Sequence, residues 1–351
     1  MRVNWPLVRR HLQRLRRRRA IEIKDLAARQ WSLCAEERVA VRPALHRPGA
    51  LERVSALSPW RNWETERLLI DGGPLIHAPS RAYLLERVDI VGAYLYAGAA
   101  RDQAGYGAER WLLERSASVQ RIADANLVSN FAGSQFFGHL LLDDFPRALI
   151  AEGDPANIAV SSKPYSHEPG YRDLCDVSAA QIVRRARVNR LILYSDFAQN
   201  SFKADRYREL RARVRAFVGL TVPPAGVFLR RGSTGERREL TNEAQIEAFL
   251  TARGFAIVDP SALSAQEIAR RTLDAPIVVA VEGSHLSHGI YTVREGGAFC
   301  VLQPPDRFAM AYKEFTDRME MDFAFVVGRP TEDGFSVDID DLGRTLDLIR
   351  P

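Results

Sequence analysis

Pro276-Ile-Val-Val-Ala-Val281 runs directly into Glu282-Gly-Ser-His-Leu-Ser-His-Gly289. The first six residues are all apolar, with no polar member in alternation. A strand that meets water on one face alternates apolar and polar side chains. A strand without that alternation belongs in a sheet covered on both faces, which means a parallel sheet flanked by helices. The glycine that follows lets backbone N–H groups gather at the carboxyl edge of such a sheet, where open α/β sheets bind ligands and anions are attracted.

The same rhythm extends in both directions. Upstream stand Gly226-Val-Phe-Leu-Arg230 and Phe255-Ala-Ile-Val258, with helical patterns at 241–252 and from Ser264, where Glu267 completes a capping box. Downstream, residues 298–302 and 323–327 read as two more strands. Earlier in the chain, Asn157-Ile-Ala-Val160 and Arg190-Leu-Ile-Leu-Tyr194 are strands, and 137–150 and 205–218 are helical. Alternating strands and helices predict doubly wound parallel sheets. Between 67 and 115 shorter runs predict strands at Arg67-Leu-Leu-Ile70, 87–96 and Arg110-Trp-Leu-Leu113. Turn residues at Asp71-Gly-Gly-Pro74 and Gly105-Tyr-Gly107 separate them. Residues 20–66 carry no clear period. Pro223-Pro224 is the expected linker, giving a basic segment over 1–40, one Rossmann-like domain over 41–220 and a second over 221–351.

Length and charge agree with two domains. The chain has 351 residues and 46% apolar content, enough for two cores. Its net charge of +5 is an average of unlike parts. Residues 1–19 hold eight arginines and no acid, leaving 41 basic and 44 acidic residues in the rest. A body of that balance is not expected to bind nucleic acid. Val8, Leu12 and Leu15 fall on one face of the basic stretch, which predicts either a helix lying on anionic membrane or a solvated tail. No apolar run reaches the ~20 residues of a membrane span, and no signal peptide is evident. Three scattered cysteines, Cys34, Cys175 and Cys300, predict buried thiols and a cytoplasmic protein.

Three constellations carry chemistry. His139 and Asp143 lie one helical turn apart in Gly133-Ser-Gln-Phe-Phe-Gly-His-Leu-Leu-Leu-Asp-Asp-Phe-Pro-Arg147. A histidine–carboxylate pair can orient and tune a general base, although such a pair can equally be structural. Pro146 predicts a kink or break in that helix. In the turn after the apolar strand, Glu282, Gly283, Ser284, His285 and His288 are the expected donor-side residues. The spacing of Glu282, His285 and His288 fits a metal poorly, so no metal or other cofactor is expected. Finally, Arg230 and Arg231 end a strand, with Arg237 and Arg238 a short loop later. Arginines there suit a diphosphate, but the segment is no P-loop.

In this order the segments resemble glycosyltransferase family 61. His139, Asp143 and Pro146-Arg147 match its first pattern; Arg230, Arg237-Arg238 and Asn242-Glu243 match its second. Gly254-Phe255 and the helix start at Leu263-Ser264 with Glu267 follow. The family's His-Gly-Ala turn is replaced by Glu282-Gly283-Ser284. The resemblance, over about residues 80–330, implies a GT-B architecture of two facing Rossmann-like domains. It also implies inverting transfer of a sugar from a nucleotide sugar, bound through Arg230, Arg238 and the 282–288 turn, to a hydroxyl of a glycan or lipid-linked glycan acceptor. On that reading Asp143 is the base, His139 orients it, and the setting is polysaccharide or capsule synthesis at the cytoplasmic face of the inner membrane. The altered turn leaves open a non-catalytic glycan- or nucleotide-binding protein on the same scaffold.

Overall fold

The computed structural model describes residues 2–3, 5–15, 21–108, 113–114, 118–153, 156–160, 164–231 and 238–349. Arg16 to Arg19 of the basic segment, residues 110–112 of an expected strand, and Arg237 lie outside them. The chain forms two compact units, each built from discontinuous segments: 1–36, 78–166 and 176–198 in the first, and 37–77, 167–175 and 199–351 in the second. Pro223-Pro224 therefore falls inside the second unit.

Among the described residues the first unit holds an eight-stranded sheet. Its strands are β1 (Arg29–Cys34), β2 (Ser80–Val91), β3 (Tyr94–Ala97), β4 (Ala100–Gln103), β5 (Gln120–Leu127), β6 (Asn157–Ala159), β7 (Gln181–Ile182) and β8 (Arg185–Ser195). The order is β7-β6-β5-β8-β2-β3-β4, with β1 also on β2. Strands β5 to β8 run parallel. Strands β8, β2, β3 and β4 are mutually antiparallel neighbours. This corrects the expectation of a wholly parallel first half. The run at 87–96 is not one strand: Gly92, at φ +61°, turns it into a tight hairpin, and a tight hairpin makes its strands antiparallel. Leu85, Val88, Ile90, Ala125, Ile158, Val188 and Leu191 form the core of this unit. The helix Trp5–Leu15 packs Leu7 onto Val91, Ala93, Tyr94 and Tyr96, while Trp5 and Leu12 are 63% and 58% exposed.

The second unit is built on a five-stranded, wholly parallel sheet: β9 (Gly226–Leu229), β10 (Phe255–Val258), β11 (Ile277–Val281), β12 (Ala298–Gln303) and β13 (Asp322–Val327). Val278, Val279, Ala280 and Val281 are buried, as the unbroken apolar run required. The helix Ala265–Thr272 begins with the anticipated capping box between Ser264 and Glu267. The strand order is β10-β9-β11-β12-β13. The first strand thus lies between the second and third, and chain direction across the sheet reverses between β9 and β11. Doubly wound sheets bind their ligands at the carboxyl edge of that switch point.

Residues 67–70 correct a second expectation. They lie in a helix, Trp63–Asp71, rather than a strand. Asn62 caps it by accepting from Thr65 N at 2.9 Å, Glu64 and Glu66 occupy its first turn, and Leu69 and Ile70 are buried. Three apolar residues in a row cannot distinguish a strand from a buried helical turn, and the cap decides. Among the described residues no helix is long and apolar enough to cross a membrane.

Candidate active site

In the first unit, β5 leads through Ser129 and Asn130 into a broken helix. Asn130 caps the helix Phe131–Gln135 through Gly133 N at 2.8 Å. The chain continues as a helical turn at Phe137–His139, a π-helical turn at Leu140–Asp144 and an α-helix at Phe145–Ile150. The break expected at Pro146 takes this form: the proline enters at the start of the last segment, where its missing N–H is harmless. π-Turns widen the helix by one residue and recur at functional sites. All of Leu140, Leu141, Leu142, Asp143 and Asp144 are buried.

His139 Nδ1 lies 2.7 Å from Asp143 Oδ2. An ionised carboxylate only accepts, so Nδ1 carries the proton and Nε2 is left with its lone pair. The pair is asymmetric. The Asp143 side chain is 2% exposed and that of His139 is 38%. Phe197, just beyond β8 and 60% exposed, stacks on the imidazole with centroids 5.6 Å apart. The exposed member is therefore the histidine. Asp144 has a different task. Its Oδ1 accepts from Asn130 N at 3.1 Å and Nδ2 at 2.9 Å, and meets Arg147 Nη1 at 3.3 Å. A Cβ on Gly133 would come within 2.3 Å of Asp144 Oδ2, so the glycine permits this close seat. Asp144 and Arg147 hold the turn together.

In the second unit, the strand ends flanking the switch point carry Arg230-Arg231 and Glu282-Gly283. The two arginines diverge. Arg230 forms a forked ion pair with Glu247 on the helix Glu243–Ala252 and so does not join the turn. Arg231 Nη1 and Arg238 Nη1 both donate to the Glu282 carbonyl, at 3.0 and 2.9 Å. Arg238 also meets the Glu282 carboxylate at 2.6 Å. Gly283 adopts φ +149°, and a Cβ there would lie 2.0 Å from Arg231 Nη1 and 2.9 Å from Arg238 Nη1. Only glycine fits beneath these guanidiniums.

Burial raises the Glu282 carboxyl above its ordinary range, opposed by Arg238, Arg231, Arg307 and Arg61. Burial, with Arg231, His288 and Arg238, pushes His285 well below its ordinary value and keeps it neutral. Among the described residues its buried Nε2 has no hydrogen-bond partner. His288, also expected on the donor side, is instead 2% exposed core: its Nδ1 meets Tyr171 Oη at 2.8 Å, and burial lowers it to about 3. The segment after Gly283, Ser284–Gly289, is a short 3-10 turn rather than an α-helix. Asn242, a motif residue, bridges both backbone groups of Val337 and is structural.

The sequence reading underweighted Arg231 and missed Phe197, Arg61 and Arg307. Arg61 lies in the stretch without a period, and no local pattern connects it with Glu282. Two centres of chemical character result. One is a half-exposed imidazole oriented by a buried acid. The other is a pair of guanidiniums above a glycine turn at the switch point of a parallel sheet. No curated protein matches the chain. Residues 137–300, running from the histidine–aspartate segment through β12's first strand positions, match the family model described as Glycosyltransferase 61. The chain thus carries a glycosyltransferase family 61 domain and is a glycosyltransferase.

Proposed function

We propose that the protein is an inverting transferase that uses a nucleotide-sugar donor, with His139 as its general base. Nε2 takes the proton of the acceptor hydroxyl as the oxygen–C1 bond forms. The bond from C1 to the donor's phosphate oxygen breaks, and the nucleoside diphosphate leaves with that electron pair. Asp143 holds the Nδ1–H tautomer and stabilises the imidazolium that forms, which makes it a positioning residue. Arg231 and Arg238, with Gly283 beneath them, receive the diphosphate, and the orphaned Nε2 of His285 supports a ligand at that turn. The acceptor is a glycan or lipid-linked glycan, and the setting is polysaccharide synthesis.

The observation that carries this reading is the 2.7 Å His139–Asp143 pair, whose histidine is exposed and whose acid is not. Transfer from a panel of nucleotide sugars, followed by release of nucleoside diphosphate, supplies the assay. His139→Gly should lower turnover by about 10²–10⁴, and added imidazole should restore part of it. If Asp143 were the base, Asp143→Gly would instead be rescued by formate, and that result would overturn the assignment.

A further inference from the structure

Besides these two centres, the first unit contains a polar cavity of about 460 Å³, a size typical of small-ligand sites. It is lined by the turn before β1 and by β1 and β2, including Lys24, Arg29, Arg81 and Tyr83. Its cations, Lys24, Arg29 and Arg81, outnumber its two acids by one. Glu22 and Asp25 also line it, but they are engaged in a reciprocal capping box around the 3-10 turn Ile23–Leu26. Lys24 Nζ lies 5.8 Å from the centroid of the Tyr83 ring and 3.5 Å from Ser195 Oγ. Arg81 is exposed and makes no ion pair among the described residues. Lys24 reaches the Ser195 hydroxyl, and Arg81 is the register partner of Ser195 across β8 and β2.

Ser195 also fixes where the cavity lies relative to the chemistry. Phe197, which stacks on His139, stands two residues further along the chain. Two residues of extended chain span at most about 7 Å, so cationic wall and imidazole share one edge of this sheet. Ser80 Oγ donates to Asp196 Oδ1 at 2.7 Å and pins the connecting residues.

We infer that this cavity is an acceptor subsite for a saccharide bearing an anionic group, with Lys24 and Arg81 meeting the anion and Tyr83 lending an aromatic wall. The inference rests on the reading of His139 as the base and adds the class of acceptor presented to it. The anion is either the carboxylate of a uronic acid or a phosphate on the sugar, and both ask for the same guanidinium and ammonium donors.

Calorimetry without donor tests the inference independently of transfer. The probes are a glucuronic-acid-containing tetrasaccharide, its carboxyl-reduced counterpart and glucose 1-phosphate. The acidic tetrasaccharide should bind, its reduced form should bind far more weakly, and added salt should weaken the acidic complex. Arg81→Gln and Lys24→Gln should each lower affinity on the order of tenfold to a hundredfold, with Arg81→Lys recovering part of the loss. Binding confined to glucose 1-phosphate and lost in Arg81→Gln supports the subsite and assigns phosphate as the anion. Equal affinity for acidic and reduced probes, or unchanged affinity in both Gln variants, overturns the inference. Such a failure alongside an inactive, imidazole-rescued His139→Gly leaves the base assignment standing; failure of the rescue alone leaves the subsite standing.

Discussion

Replacing Gly283 by alanine tests the arrangement at the switch point most directly. Two effects add. At φ +149° and ψ 175° the backbone occupies a region nearly confined to glycine, and an alanine held there is strained by about 1–3 kcal/mol. The new Cβ would also stand 2.0 Å from Arg231 Nη1, so that guanidinium must move and its 3.0 Å bond to the Glu282 carbonyl is lost. A hydrogen bond from a charged donor contributes about 1.5–3 kcal/mol. The arginine tip is flexible and can find water, so the expected total is about 2–5 kcal/mol. Gly296→Ala is the control, because Gly296 has φ +65° in the same unit and a Cβ added there would meet nothing within 4 Å. It should lose only about 1–2 kcal/mol of backbone strain. Urea unfolding followed by far-UV circular dichroism and tryptophan fluorescence gives both values. Gly283→Ala should also weaken binding of a nucleoside diphosphate, while Gly296→Ala should not. If the two variants lose the same stability and bind equally well, the guanidiniums do not lie over the turn.

Asp144→Ala should destabilise the first unit by about 3–5 kcal/mol, because Arg147, 4% exposed, keeps its charge and loses its partner; Asp143→Asn should fold normally, and a thermal melt separates the two. Acid should weaken the second unit. Burial lowers His288 to about 3 and His77 to about 4, both below the ordinary 6.5, so the unfolded chain binds more protons. That stability is full above pH 6.5 and falls as pH drops towards 4, by on the order of 3 kcal/mol per histidine; urea midpoints unchanged between pH 7 and 5 would contradict it. Trp5→Ala with Leu12→Ala should reduce co-sedimentation with anionic vesicles if the exposed face of the first helix touches membrane, and equal sedimentation would remove that contact. Arg230→Ala should leave nucleoside diphosphate affinity nearly unchanged and loosen the helix that Glu247 belongs to, whereas Arg231→Ala should weaken that affinity.

The second sheet was legible because its strands are buried on both faces, and an unbroken apolar run needs no partner to be recognised. The first was legible only in part. Its antiparallel meander depends on a hairpin at Gly92, and one glycine inside a long strand-like run does not announce which way the chain returns. The helix at 63–71 was hidden for a related reason: its cap, Asn62, stands six residues before the apolar residues that resemble a strand. Pairings far apart in sequence left no local trace at all, such as Lys24 with Ser195 or Arg53 with Asp341.

Among site residues the hard distinctions were between neighbours. Arg230 and Arg231 share composition, charge and position, yet successive residues of extended chain face opposite ways, so only one of them can lie over Gly283. Asp143 and Asp144 differ in the same manner: one orients a histidine, the other ties a turn to Arg147. Spacing correctly paired His139 with Asp143 but could not say which of them meets solvent, because exposure is decided by the sheet edge and by Phe197. Glu282 completes the contrast. As a departure from the family turn it suggested a damaged donor site, but its carbonyl and carboxylate gather Arg231 and Arg238 above Gly283. The acid neutralises part of an arginine-rich turn and fixes its guanidiniums in place. A diphosphate arriving there must therefore compete with a carboxylate for Arg238 and with the Glu282 carbonyl for both guanidiniums.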